Sequence, residues 1–144
     1  MNKKFVFLDF DGVLHGTNQH SLGLFEHIHA FCDTVRPFLS TVQIVISSAW
    51  RETHNLEKLK GFFTTDIAQL IVGVTPQNID SYKEGGRQRE IMDYCKINNI
   101  LNEQWVALDD MYRFFSDNCK NLIWVDGETG LSKKNLEDLT NFLK

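Results

Sequence analysis

A chain of 144 residues with 42% hydrophobic and 24% charged residues has the size and composition of one globular domain, neither disordered nor fibrous. Its net charge of −4 argues against bulk electrostatic capture of nucleic acid, while leaving room for a local basic patch. No apolar run approaches the roughly 18–20 residues of a membrane span, and Asp9 interrupts Phe5-Val6-Phe7-Leu8 too soon for a signal-peptide core.

The first element is Lys4 to Phe10, β-branched and aromatic without a helical period, and reads as a buried strand. From Leu22 to Leu39, the residues Leu22, Phe25, Ile28, Phe31, Val35 and Phe38 recur at steps of three and four, which predicts an amphipathic helix ending near Pro37. Val42 to Ile46 is a second strand, Asn55 to Phe63 a short helix, and Leu70 to Val74 a third strand stopped by Pro76. Asp80 to Gly86 is polar and carries Gly85-Gly86, so it reads as a loop, followed by a helix over Arg87 to Asn98. Trp105 to Leu108 and Leu122 to Val125 are strands four and five, and Lys133 to Leu143 closes the chain as a helix. Cys32, Cys95 and Cys119 are odd in number and form no CxxC pair, which favours free thiols and a reducing, cytoplasmic setting.

Strands alternating with helices predict βαβ units, a parallel sheet of about five strands and helices on both faces: a three-layer Rossmann-like α/β fold, with residues 1–144 as a single domain. In such sheets ligands bind at the carboxyl ends of the strands. Strand one ends in Asp9-Phe10-Asp11-Gly12, strand two in Ser47-Ser48 and strand four in Asp109-Asp110; Arg87 to Arg89 open the helix before strand four. If the extended backbone persists through them, Asp9 and Asp11 lie on one face. Carboxylates that close repel unless a cation or a shared proton lies between them. Together with Asp109 and Asp110 they make a hard, oxygen-rich pocket of the kind that suits Mg²⁺. Taken singly, each feature has a plainer reading: a DxD as a turn, an Asp pair or a serine pair as a helix cap, Arg87 and Arg89 as a solvated helix face. Their occurrence together, at successive strand ends, is far more specific.

Phe7-Leu8-Asp9-Phe10-Asp11-Gly12-Val13-Leu14 resembles the first motif of the haloacid dehalogenase (HAD) superfamily. Ile44-Val45-Ile46-Ser47 is similar to its second motif, Arg87 to its third basic position and Ala107-Leu108-Asp109-Asp110 to its fourth, in the family's order. Ile46-Ser47-Ser48-Ala49-Trp50-Arg51, Val74-Thr75-Pro76, Arg87-Gln88-Arg89-Glu90-Ile91 and Gly130-Leu131 further resemble the small HAD domains of Swiss Army Knife RNA repair proteins.

The resemblance implies a Mg²⁺-dependent phosphatase. Asp9 would attack phosphorus and form an aspartyl-phosphate, Asp11 would protonate the leaving oxygen and then activate water, Ser47 would hydrogen-bond a phosphoryl oxygen and Arg87 would neutralise it. Asp9, the backbone carbonyl of Asp11, and Asp109 or Asp110 would hold the metal. The third position is Arg where the family more often has Lys, and Lys83 and Arg89 compete with Arg87 for it, as Ser48 competes with Ser47. The alternative is a catalytically weak or inactive HAD-like module that binds or regulates, but such a module would be expected to lose Asp9 or Asp11, and both are present. A receiver domain would end its third strand in Asp, whereas Val74 is followed by Thr75-Pro76.

Superfamily members often carry a cap after motif one or between motifs two and three. The intervals from Asp11 to Ser47 and from Ser47 to Arg87 are filled by predicted helices and a strand, so no cap domain is expected and the loop His15 to Ser21 is the expected flap. An uncapped site favours a phosphorylated substrate with a large end, a nucleic-acid terminus among the candidates. Trp50-Arg51, His54, Lys58 and Lys60 after motif two could stack a base and hold phosphates; the plainer reading, Trp50 in the core and the cations on a solvated helix face, weighs more.

Overall fold

The computed structural model describes residues 3–17 and 23–144. Five short strands are rich in β-branched and aromatic residues, as burial on a pleated surface favours: β1 (Lys4–Leu8), β2 (Val42–Ile46), β3 (Ile71–Val74), β4 (Trp105–Asp109) and β5 (Leu122–Trp124). They form one parallel sheet in the order β3-β2-β1-β4-β5. The chain builds β1, β2 and β3 outward in one direction and then returns to lay β4 on the other side of β1. The strand order therefore reverses beside β1, and a crevice opens at such a point.

Alternate residues of each strand feed two apolar layers, as a period of two requires. Val6, Leu8, Ile44, Ile46, Val106 and Leu108 face one core, shared with α1 (Ile28–Val35), α2 (Leu56–Lys60), α3 (Thr65–Ala68) and α5 (Lys133–Leu143). Phe7, Val45 and Ala107 face the other, where Ile91 and Cys95 of α4 (Gly86–Ile97) cover the sheet. The expected three-layer α/β architecture is therefore present. Among the described residues, neither the segment between β1 and β2 nor that between β3 and α4 holds a separate domain.

Element boundaries follow local chemistry. Asn55 caps α2 by accepting from the Lys58 N–H at 2.9 Å, and Ser132 and Asn135 form a reciprocal cap at the start of α5. The helix expected over Leu22 to Leu39 is shorter. Within it α1 runs Ile28–Val35, followed by a 3₁₀ turn, Arg36–Phe38. Gly23 (φ 120°) and Phe25 (φ 61°) lie in the left-handed region and cannot continue a right-handed helix. Pro37 cannot donate to the helical ladder and sits instead in the first turn of the 3₁₀ segment. Phe25, Phe31 and Val35 still reach the core as the periodicity implies; Leu22 and most of the expected flap, residues 18–21, lie outside the described residues. The four-residue α3 was not expected, being too short to display a period.

Candidate active site

The β1 ladder runs one residue past the strand: the Asp9 N–H donates to the Leu108 carbonyl at 3.1 Å and the Ser47 N–H to the Leu8 carbonyl at 3.0 Å. With Leu8 paired to both Ile46 and Leu108, Asp9, Ser47 and Asp109 stand side by side on three adjacent strands. Each is two residues beyond a side chain of the α4-facing layer, so all three belong to that face. The fold thus converts three strand-end residues, far apart in sequence, into one row.

Both Asp9 and Asp109 are buried, at 4% and 0% exposure. Asp109 Oδ1 accepts from the Met111 N–H at 2.9 Å, and Asp9 Oδ1 from the Phe10 N–H at 2.9 Å. Arg87, in the first turn of α4, lies between the two: its Nη1 is 2.7 Å from Asp109 Oδ2 and 3.3 Å from Asp9 Oδ2. Its guanidinium also lies over the Phe114 ring, 5.2 Å from the centroid. The competing cations are engaged elsewhere. Lys83 pairs with Asp80 at 3.0 Å, and Arg89 donates to the Glu84 carbonyl at 2.9 Å.

Asp110 completes the acidic group. One carboxylate oxygen from each of Asp9, Asp109 and Asp110 lies within 4.8 Å of the others. Gly12 and Gly127 close around Asp110 so tightly that a Cβ on either would fall 2.3 or 2.4 Å from its Oδ2. Burial, then the charges of Asp109 and Asp110, push the Asp9 carboxyl well above the usual carboxylate range, although Arg87 pulls it down. Burial raises Asp109 and Asp110 as well. The Arg87 guanidinium is itself opposed by burial, but the facing Asp109 and Asp9 more than offset that and hold its proton more firmly than usual. Three crowded, oxygen-only donors, with Asp109 and Asp110 both opposing ionisation of Asp9, are a set that a hard divalent cation fits.

Ser47 and Ser48 divide their roles. Ser48 Oγ accepts from the Trp50 N–H at 3.2 Å, capping the 3₁₀ turn Ala49–Glu52. Ser47 Oγ is buried and has no hydrogen-bond partner among the described residues. Thr75, beside it at the end of β3 by the Ile46–Val74 pairing, likewise has a buried hydroxyl without a partner among the described residues. Thr75 is not among the site residues expected from the sequence; its position directly after the strand ending at Val74 is the signal that could have found it.

Asp11 lies apart from the acidic group. The strand does not persist through it: Gly12 (φ 77°) turns the chain, and Asp11 Oδ1 meets His15 Nε2 at 2.8 Å while 59% of its side chain stays exposed. Its charge still acts on Asp110.

Arg51 is neither a base-side cation nor a solvated one. Its side chain is 5% exposed and ion-paired at 2.8 Å with Glu90 of α4, itself 1% exposed. It also donates to the carbonyls of Ser48 at 2.8 Å, Thr75 at 3.1 Å and Ser47 at 3.3 Å, strapping the ends of β2 and β3 to α4. Trp50 is half-buried, packed on Phe10, Phe25 and Phe62 and stacked on His54 at 5.1 Å. A groove of about 860 Å³, lined in part by Ile79, Glu84, Arg89, Met92 and Asp117, flanks the start of α4 but contains none of the strand-end residues.

No helix among the described residues is long and apolar enough to cross a membrane. A search of curated proteins finds no match. The profile of one family, described as the HAD domain in Swiss Army Knife RNA repair proteins, matches residues 5–136 and so spans every motif at the strand ends. The row at the sheet edge is thus carried by a chain that belongs to the HAD family, as a hydrolase-type HAD domain of the kind found in Swiss Army Knife RNA repair proteins.

Proposed function

We propose that this chain hydrolyses phosphate monoesters through an aspartyl-phosphate on Asp9, with Mg²⁺ as cofactor and a phosphorylated polymer end, such as a nucleic-acid terminus, as substrate. The observation that carries the reading is the row at the sheet edge: Asp9 buried beside Asp109 and Asp110, Arg87 against it, and the unpartnered Ser47 hydroxyl next to it. The printed description of the family supports the polymer end, since it refers to RNA repair proteins.

Each side chain then has one task. Asp9 Oδ attacks phosphorus while Asp11 gives a proton to the departing oxygen; Asp11 next takes a proton from the water that releases phosphate from Asp9. The Ser47 hydroxyl donates to a phosphoryl oxygen, and its lack of a partner among the described residues supports it over Ser48. Arg87 offsets the phosphoryl charge, and its contacts with Asp9 and Asp109 support it over Lys83 and Arg89. Asp9, Asp109, Asp110 and the Asp11 carbonyl would hold Mg²⁺. When bound, it supplies the positive charge that lets an anionic nucleophile approach an anionic phosphate.

The test is a phosphate-release screen with Mg²⁺ over 3′- and 5′-phosphorylated oligonucleotides, nucleotides, sugar phosphates and phosphopeptides. Release should vanish with excess EDTA and in Asp9→Asn. Full activity in EDTA sinks the metal-assisted reading, and near wild-type rates in Asp9→Asn sink the nucleophile assignment.

A further inference from the structure

We propose that His15 is a positioning residue for Asp11: its Nε2–H holds Asp11 Oδ1 and thereby commits Oδ2 to carrying the proton in phosphate-ester cleavage. The inference rests on the phosphatase reading above.

An aspartate with 59% of its side chain exposed is a poor candidate for a directed proton donor, because water leaves its carboxyl free to rotate. A general acid must instead lie within hydrogen-bond reach of one atom, in one orientation. His15 supplies that constraint. The residue is 8% exposed, and its ring lies against Phe25 and Trp50, with centroids 5.5 and 6.5 Å away. The Phe25 backbone N–H donates to Nδ1 at 3.3 Å. A nitrogen that accepts must keep its lone pair, so the ring proton is assigned to Nε2, which lies 2.8 Å from Asp11 Oδ1. The ring is thus a donor at Nε2 whose direction is set by its second hydrogen bond.

The surrounding chain is arranged to make this contact. Gly12 (φ 77°) turns the backbone, and Asp11 and His15 meet as an isolated bridge. Phe25 is held at φ 61°, a strained conformation for an aromatic residue, with its N–H on His15 and its ring 4.8 Å from that of Phe62. An exposed acid is therefore mounted on a buried donor that aromatic packing keeps in place.

The reaction balances with His15 unchanged. In the first step Asp9 Oδ bonds to phosphorus, the P–O bond to the leaving group breaks, and the proton on Asp11 Oδ2 passes to the leaving oxygen. In the second, water oxygen bonds to phosphorus, the Asp9–phosphorus bond breaks, and a water proton passes to Asp11 Oδ2. The Nε2 proton stays on His15 throughout.

The test uses the leaving group as a readout that simple misfolding would not move. Wild type, His15→Ala and His15→Gln are assayed with Mg²⁺ on 2,4-dinitrophenyl phosphate, whose leaving group needs no proton, and on phenyl phosphate, whose leaving group does. His15→Ala should lose roughly tenfold or more in kcat on phenyl phosphate and less than about threefold on the dinitrophenyl ester, since only the former draws on the ~10²–10⁴ that acid catalysis supplies. KM should change little. His15→Gln, which restores an N–H donor, should recover most of the loss. In an Asp11→Asn background His15→Ala should add nothing, because the two act as one unit. Equal losses on both esters, or additive losses in the double variant, overturn the proposal while leaving the phosphatase reading intact. A wild-type protein that releases phosphate from neither ester nor from a phosphorylated oligonucleotide overturns both.

Discussion

Asp110 has almost no room to move, because Gly12 and Gly127 both stand against its carboxylate. A methyl group at position 127 would lie 2.4 Å from Oδ2, and Gly127 carries no left-handed φ to complicate the substitution. Gly127→Ala should therefore displace one of three candidate ligands and leave the other two. We expect the Mg²⁺ concentration for half-maximal activity to rise roughly tenfold, about 1.4 kcal/mol of cation affinity; an unchanged Mg²⁺ titration would remove Asp110 from the metal site. Asp9 makes a prediction of opposite sign for stability. Its folded carboxyl is raised by burial and by its acidic neighbours, so stability falls as pH rises from the unfolded value, near 3.9, through the folded one. Above the unfolded value this raised carboxyl therefore subtracts from the stability of the metal-free protein. Asp9→Asn in EDTA should melt no lower than wild type although turnover is gone; a lower melting temperature would show that the Arg87 contact outweighs the crowding. Asp9, Ser47 and Asp109 were legible in the sequence because each directly follows or ends an apolar strand. The His15 contact was not, since it depends on the Gly12 turn and on a left-handed Phe25, and neither leaves a periodic trace.

At the scale of elements, the end of β2, the end of β3 and α4 are tied by one buried ion pair. Arg51 gives hydrogen bonds to the Ser47, Ser48 and Thr75 carbonyls, and Glu90 accepts from Arg51, from the Asn78 N–H at 2.7 Å and from the Ser81 hydroxyl. α4 also carries Arg87, one turn before Glu90, so the strap sets the Arg87 guanidinium relative to Ser47. Removing one partner leaves a buried charge uncompensated. Glu90→Gln should cost about 3–5 kcal/mol in urea unfolding and should lower activity on every ester alike, because Ser47 and Arg87 lose their common anchor. A loss below about 1 kcal/mol would mean that Arg51 finds water instead. Strand and helix identities came through from periodicity: the strands are short apolar runs, and α4 and α5 lie within a residue of their expected bounds. The strap did not, because Arg51 and Glu90 are 39 residues apart and a charged pair has no period. A surface role for Arg51 follows from the sequence only if its partner is ignored.

For the whole molecule, topology and charge bear on the substrate together. Strand order reverses at β1, and no separate domain covers that edge among the described residues. Asp11 is exposed to solvent, whereas Asp9 and Asp109 are buried. A long ligand can lie across such an edge and use contacts remote from phosphorus to lower the barrier there, which a mononucleotide cannot do. Electrostatic capture, however, has little to work with. The net charge is −4, and Arg51 and Arg87, whose guanidinium groups contact strand-end residues, are buried and internally paired. A 3′- or 5′-phosphorylated oligonucleotide should therefore exceed its matching mononucleotide in kcat/KM by roughly tenfold, through contacts that are mostly not ionic. Its binding should weaken only shallowly with salt, with a log–log slope smaller than about 2 in magnitude, given ~0.7 per neutralised phosphate on a single strand. Trp50→Ala is a poor probe of this preference, because Trp50 packs against His15 and Phe25 and its loss would disturb the Asp11 mount as well. The cleaner comparison varies substrate length and salt on the unaltered protein. Equal efficiency on oligonucleotides of either polarity and on mononucleotides would remove the nucleic-acid reading, and a steep salt slope would mean that cations away from the strand ends hold the polymer.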